Sequence, residues 1–321
     1  MVVLAYLKLI RWPILVLIAV IQYATRHFVI EPMLAINGYG LIMTERQFLW
    51  LVISTVLIAA GGYAINDYFD AKIDRVNKPK TVVLDRLIPR RVAMATHMIL
   101  SGIGFMMSAY LSYKVGLWKM SALFIFAIFS LWFYSTNLKN QFLSGNLVIA
   151  VMSAFVPLIV GLFEIPMQNA AHPESVEQLG FSIFNGPAYW VMGYAGCIFL
   201  LTLCREITKD IIDIRGDKMF GCRTIPIVAG VRNTKSVLIG LYLLIGALLL
   251  WVYQEFLNVH SDLHTSVFAV VMISIFIQFA LIFRSKTKAQ FQQSVRLNNL
   301  SVLLVIMSMY LLKLSIESYF I

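Results

Sequence analysis

The stretch NDYFDAKID, residues 66–74, follows the apolar run FLWLVISTVLIAAGGYAI and puts three carboxylates at the end of a hydrophobic segment. Asp67, Asp70 and Asp74 stand at i, i+3 and i+7, so at about 100° per helical residue they fall within roughly 60° of one another on one face. Like charges at that spacing repel, and a carboxylate at membrane depth costs on the order of 2.5–3.5 kcal/mol even on insertion scales. A cationic partner is therefore expected. The plainer alternative is a helix end whose charges sit in water.

A second copy of the pattern favours the first reading. REITKDIIDIRGDKMFGCRT, residues 205–224, carries Asp210, Asp213 and Asp217 at the same spacing, each 143 residues after its counterpart. With four apolar segments from one motif to the next, both emerge on the same side, as a parallel internal repeat requires. Two such faces opening into one cavity, each followed by Lys and Arg, suit hard divalent ions shared with a phosphorylated ligand. Mg²⁺ takes oxygen ligands and is commonly held by a few carboxylates together with substrate phosphates. Basic side chains would take the remaining phosphate oxygens. Pro79 and Pro226 follow the motifs where a helix cannot continue, and the loops there are expected to cap the cavity.

The rest of the chain explains why carboxylates are conspicuous. Of 321 residues 60% are hydrophobic and 13% charged, and the mean hydropathy is +0.81, far above a soluble domain. An integral membrane protein follows. A membrane helix needs about 20 apolar residues, and nine segments qualify, near 9–30, 47–66, 90–113, 117–136, 144–163, 187–206, 236–255, 265–283 and 298–320. The runs are continuously apolar, without the alternation of membrane strands, so the expected fold is all-α, a bundle in which helices 1–4 and 5–8 repeat around a central cavity. No stretch between segments could bury its own core, which makes residues 1–321 one domain. Lys8 and Arg11 before the first run resemble a signal peptide, but the run is long and lacks a small-residue cleavage site, so its retention is expected. Cys197, Cys204 and Cys222 form neither a disulfide nor a metal framework, and the five histidines have no metal-site spacing.

The net charge of +10 does not indicate nucleic acid, because its distribution is topological. Lys and Arg crowd the segments before helix 1, between helices 2 and 3, and after helices 4, 6 and 8, whereas residues 164–186 and 256–264 have none. The positive-inside rule then places the N-terminus and the motif loops in the cytoplasm and the C-terminus outside.

With these motifs in hand the chain resembles the UbiA superfamily of intramembrane prenyltransferases over nearly its whole length. The first family signature, N-D-x-x-D-x-x-x-D, is matched by Asn66, Asp67, Asp70 and Asp74, and the second by Asp210, Asp213 and Asp217. Asn77, Lys78 and Pro79 look like the family's N-R-P segment, and YSTNLK supplies a Tyr and a Lys, Tyr134 and Lys139. The resemblance implies Mg²⁺-dependent transfer of a prenyl group from a prenyl diphosphate, with Asn66, Asp70 and Asp74 on one metal ion, Asp213 and Asp217 on another, and Asp67 and Asp210 as ligands or their neighbours. Lys78, Lys139, Arg75 and Arg223 would grip diphosphate, and Tyr134 would line the site beside the reacting carbon. Arg11 is a candidate for an anionic acceptor or, equally, a residue snorkelling to the interface.

The stretches RWPILVLIAVIQY, NDYFDAKIDRVNKP and REITKDIIDIRGDKMFGCRTIPIVAG look most like the geranylgeranylglycerol-phosphate geranylgeranyltransferase branch, which implies a geranylgeranyl diphosphate donor and a glycerophosphate acceptor in a bacterial or archaeal plasma membrane. An aromatic acceptor, as in quinone biosynthesis, is the alternative. A terpene cyclase of the same superfamily and a transporter also stay open, while the D-G and A-R elements of CDP-alcohol phosphotransferases are absent. Partners are expected to be the donor, the acceptor and the bilayer, with neither nucleic acid nor a protein partner.

Overall fold

The structure is a computed structural model and describes residues 2–77, 79, 82–173, 182–257 and 262–319. Among the described residues there is no strand. The chain forms a short α1 (Val2–Leu9), then α2 (Trp12–Ala35), α3 (Glu45–Asn77), α4 (Arg90–Lys114) and α5 (Ser121–Thr136). The second half comprises α6 (Ser144–Ala171), α7 (Asn185–Met219), α8 (Gly230–Val252), α9 (Asp262–Arg284) and α10 (Lys288–Tyr319). Eight of these helices, all but α1 and α9, are long and apolar enough to cross a membrane, and the apolar part of α9 is the shorter Phe268–Arg284. The protein is thus a multi-pass membrane protein, with eight full-length candidate spans among the described residues where the sequence suggests nine.

Two features of these helices matter for the site. The helices that carry the aspartates do not stop where their apolar runs stop. α3 continues to Asn77, past its apolar run to 66, and α7 to Met219, past 206, so both motifs lie within helical turns, as their i, i+3, i+7 spacing implies. Charge ends a hydropathy window, but Asp, Lys and Arg leave the intrahelical hydrogen bonds intact. The second feature is at the N-terminus, where α1 is separated from α2 by Arg11 at φ 54° and ψ 51°, a left-handed conformation in a residue that has a Cβ. Such a conformation costs on the order of 1–3 kcal/mol and persists only where its surroundings impose it.

α3 packs along α4, α6 along α7, and α10 against both α7 and α9. Small residues allow the close approaches. A Cβ on Gly61 or Gly104 would run into the facing helix, at the Ser101 side chain and the Ser54 carbonyl respectively. Buried polar groups hold the rest of the bundle, as expected where lipid offers no hydrophobic drive between helices. Tyr242 donates to Gln278 at 2.8 Å, Gln278 to Ser301 at 2.7 Å, and Asn298 to the Leu201 carbonyl at 3.0 Å, tying α7, α8, α9 and α10. At the end remote from the aspartates Glu164 accepts from the backbone of Ile42 at 2.6 Å and Met43 at 3.3 Å. The buried Arg26 guanidinium donates to the Met43 carbonyl at 2.5 Å and to Glu45 at 3.0 Å, so the α2–α3 connection is pinned.

Candidate active site

Inside the bundle is a cavity of about 490 Å³, walled mainly by apolar residues of α2, α3, α5, α6 and α10, with charged groups concentrated at one end. Thr55, Ala59, Gly62, Tyr63 and Asn66 of α3 line it, and so do Ile198, Thr202, Arg205, Glu206 and Lys209 of α7. Each residue of the second set stands 143 positions after its partner in the first. The offset read from the aspartates therefore also governs which positions of α3 and α7 face the interior, and the two aspartate motifs continue these faces beyond the polar end.

Here the carboxylates have their cations. Arg11 donates from Nη2 to Asp67 Oδ1 at 2.8 Å, and its guanidinium lies 4.9 Å from the centre of the Tyr63 ring. The left-handed turn at Arg11 starts α2 beside that pair. Lys139, with a side chain only 10% exposed, is ion-paired with Asp70, whose other oxygen accepts from Asn66 Nδ2 at 2.9 Å. Asp210 accepts from Asn146 of α6 at 2.8 Å. Asp217 accepts from Asn77 Nδ2 at 3.3 Å, and the side-chain oxygen Oδ1 of Asn77 accepts the Gly216 backbone N–H at 2.9 Å. Asn77 therefore bolts the end of α3 to the second motif. Tyr134 lines the cavity within electrostatic range of Asp70, Asp210, Glu206 and Arg11.

The loop after α5 is joined to the loop after α7. Arg223 donates its backbone N–H to the Asn140 carbonyl at 2.7 Å, and Cys222 Sγ donates to Asn140 Oδ1 at 3.2 Å. Gly145 makes room for this loop, since a Cβ there would stand 2.6 Å from Lys139 Cα. Burial, followed by the negative charge of Asp217 and Asp70, pushes the Cys222 thiol up to about 11. Only about a thousandth of it is then ionised at pH 8, and a thiolate is what reacts with alkylating agents. Cys222 is expected to label with iodoacetamide several hundredfold more slowly than a free thiol at pH 8, with the rate still rising at pH 10. Rapid labelling that levels off near pH 9 would show that the loop contact does not form.

Not every residue singled out in the sequence joins this group. Arg75 donates instead to Asp85 at 2.6 Å, an exposed pair that Arg90 shares at 2.8 Å. The Arg223 side chain is exposed. Lys78 lies outside the described residues. Asp74 and Asp213 stand on the same helical faces as their neighbouring aspartates, each partly buried. Conversely, Asn146, Arg205, Glu206 and Lys209 belong to the site although the sequence reading gave them no part, and so does Asn77, which that reading noted only as part of a family-like segment. The signal available for Arg205, Glu206 and Lys209 was charge within an apolar run, one to two turns before an aspartate.

The donor chemistry fits Mg²⁺. Asn66 Oδ1 is a buried oxygen without a hydrogen-bond partner, beside carboxylates that Arg11 and Lys139 now neutralise. Among the described residues no three acidic, His or Cys side chains are already gathered into a closed metal cage. Oxygen donors of this kind are those Mg²⁺ takes together with the phosphates of a substrate.

These features are those of an intramembrane prenyltransferase. Residues 28–300 match the model of the UbiA prenyltransferase family, and the chain belongs to that family. Digeranylgeranylglyceryl phosphate synthase of Thermococcus gammatolerans is 27% identical over 82% of this chain and 84% of its own. A solved structure of digeranylgeranylglyceryl phosphate synthase superposes with a TM-score of 0.66 at 20% identity, covering 96% of this chain and 97% of that one. A UbiA homolog from Archaeoglobus fulgidus, bound to GPP and Mg²⁺, superposes with a TM-score of 0.57 at 15% identity over 95% of this chain and 99% of its own. The protein is a prenyltransferase.

The Asn77 bolt gives a prediction. A methyl at Gly216 would collide with the Asn77 side chain, so Gly216→Ala should spread the two motifs. Because misplacement by about 1 Å can cost a hundredfold, kcat/KM for prenyl transfer is expected to fall ten- to a hundredfold, with much of the loss restored in Gly216→Ala/Asn77→Ala. Unchanged kcat/KM in the single variant would show that the contact does not set the separation of α3 and α7.

Proposed function

We propose that the chain transfers a geranylgeranyl group from geranylgeranyl diphosphate to geranylgeranylglyceryl phosphate, in the presence of Mg²⁺, and releases diphosphate. The observation that carries this reading is one cavity with two ends: an apolar length suited to an isoprenoid tail, and a polar end beyond which the first aspartate face meets Arg11 and Lys139 and the second is tied to it through Asn77. The names of the relatives support the acceptor.

On this reading Asn66, Asp70 and Asp74 hold one Mg²⁺ and Asp213 and Asp217 the other, with Asp67 and Asp210 beside them. When bound, Mg²⁺ supplies positive charge where the leaving diphosphate gains negative charge. Lys139 adds to that charge by exchanging Asp70 for a diphosphate oxygen, and a donor preplaced at such a point acts on the transition state more than on the ground state. The allylic C1–O bond breaks with its electron pair on diphosphate, C1 bonds to the acceptor hydroxyl oxygen, and the hydroxyl proton leaves toward the diphosphate. Tyr134 and the apolar wall keep water from the allylic carbon meanwhile. For Arg75 and Arg223 to serve diphosphate, Arg75 must leave Asp85 at the end of α3 and the exposed Arg223 must turn inward from the loop after α7; Lys78 keeps its proposed part in gripping diphosphate. Residues 1–321 act as one domain with nine spans in a prokaryotic plasma membrane, N-terminus and motif loops on the cytoplasmic side and C-terminus outside.

The test is purified protein with labelled geranylgeranyl diphosphate and, in parallel, geranylgeranylglyceryl phosphate, 4-hydroxybenzoate or 1,4-dihydroxynaphthoate. Label is expected in digeranylgeranylglyceryl phosphate, abolished by chelation and restored by Mg²⁺. Label in an aromatic product alone would reassign the acceptor, and diphosphate release without any acceptor would indicate cyclisation.

A further inference from the structure

The two halves of the site share one register but differ in chemistry where it counts. At the polar end of the cavity α3 presents Gly62, Tyr63 and Asn66, whereas the equivalent positions of α7 present Arg205, Glu206 and Lys209. Arg205 Nη1 donates to Glu206 Oε1 at 3.0 Å, and Lys209 Nζ donates to the same oxygen at 2.7 Å. Two cations thus share one carboxylate oxygen. A structural ion pair inside a membrane helix bundle calls for matched charges, since an uncompensated one is costly. Of the nearby carboxylates, Asp67 is taken by Arg11, and Asp210, which lies within electrostatic range of Lys209, accepts from Asn146 at 2.8 Å. The donors are not exhausted: guanidinium has five N–H groups and ammonium three, and Arg205 Nε is buried with no hydrogen-bond partner.

Lys209 stands at the register of Asn66 and borders the metal site, while Arg205 lies a further turn inside the cavity. Lys209 and Arg205 lie four and eight residues before Asp213, about 6 and 12 Å along the axis of α7 toward its apolar middle. They sit between the aspartates and the apolar length of the cavity, where the head of a second amphiphile must lie if its tail shares the cavity with the donor's tail. A phosphate monoester carries roughly −1.5 to −2 charges near neutral pH, and Arg is shaped to bind its oxygens in pairs.

We propose that Arg205 and Lys209 form an anion subsite, distinct from the two aspartate motifs, that takes the phosphate of the acceptor and so selects a phosphorylated lipid. Glu206 holds the two cations in position while the subsite is empty. The inference deepens the acceptor reading above and rests on it.

The experiment compares geranylgeranylglyceryl phosphate with phosphate-free geranylgeranylglycerol, using the full chain in detergent and in lipid nanodiscs. The wild type is expected to favour the phosphorylated acceptor by ten- to a hundredfold in kcat/KM. Lys209→Gln and Arg205→Gln should each raise KM for that acceptor about tenfold and bring the preference close to one, while KM for geranylgeranyl diphosphate stays within threefold. Lys209→Arg should recover most of the preference, whereas a merely structural role would lower turnover of both acceptors alike and leave their ratio unchanged. Variants that keep the wild-type preference, or that raise KM for the donor as much as for the acceptor, would overturn the assignment. If the wild type uses neither glyceryl acceptor and prenylates an aromatic one, the acceptor reading falls first and the subsite with it.

Discussion

Asp70→Asn is expected to lower kcat for prenyl transfer by about a thousandfold or more, with the protein still folded and still extracted as the wild type is. The expectation comes from where Asp70 stands. One of its oxygens accepts from Asn66 at 2.9 Å and the other is paired with Lys139, so it joins the first motif to the loop that bears Lys139. Asparagine keeps the size and one acceptor oxygen, which spares packing, but removes the charge that would hold Mg²⁺ and that now neutralises Lys139. The loss should fall on kcat more than on KM for the acceptor, because charge on the leaving diphosphate is greatest in the transition state. Steady-state kinetics over a Mg²⁺ titration checks it. Activity within tenfold of wild type at saturating Mg²⁺ would remove Asp70 from the metal site.

The second large effect is expected at Lys139. Lys139→Ala should cost about a hundred- to a thousandfold in kcat, the scale on which a single preplaced electrostatic donor acts. Its side chain is only 10% exposed and its carboxylate partner is a proposed metal ligand. Metal loading of Asp70 would release the ammonium for a diphosphate oxygen. The variant is therefore expected to retain the wild-type dependence on Mg²⁺ concentration while losing rate, which separates it from Asp70→Asn. Lys139→Arg should recover part of the loss and not all, because the fork of a guanidinium does not replace a point charge. A variant within threefold of wild type would leave Lys139 as a structural partner of Asp70.

The sequence carried the parts of this site that repeat and hid those that do not. The apolar runs and the i, i+3, i+7 carboxylates are periodic signals, and the 143-residue offset between them holds for the cavity faces as well. Arg11 was legible only as a question, since an arginine before an apolar run is equally a snorkelling residue; what the sequence did not show is its left-handed backbone and its bond to Asp67. The apolar runs end before the helices do at Asn77 and Met219, because hydropathy follows burial and not hydrogen bonding; the carboxylate spacing and the prolines marked the helical continuation. Asn146 was invisible as a site residue, and Asn77 was marked only by its resemblance to the family's N-R-P segment, an amide in a sequence carrying no sign of what it will face across the bundle. Arg75 shows the converse: a basic residue in the right segment that folds onto Asp85 instead.

The central claim is that the two aspartate faces and a prenyl diphosphate share their metal ions, and Mn²⁺ in place of Mg²⁺ makes this directly observable. With a non-hydrolysable prenyl thiodiphosphate present, pulsed electron-nuclear double resonance is predicted to give a Mn²⁺–³¹P hyperfine coupling in the wild type, strongly reduced in Asp70→Asn. Mn²⁺ bound without coupling to phosphorus, or a coupling that Asp70→Asn leaves unchanged, would contradict the account.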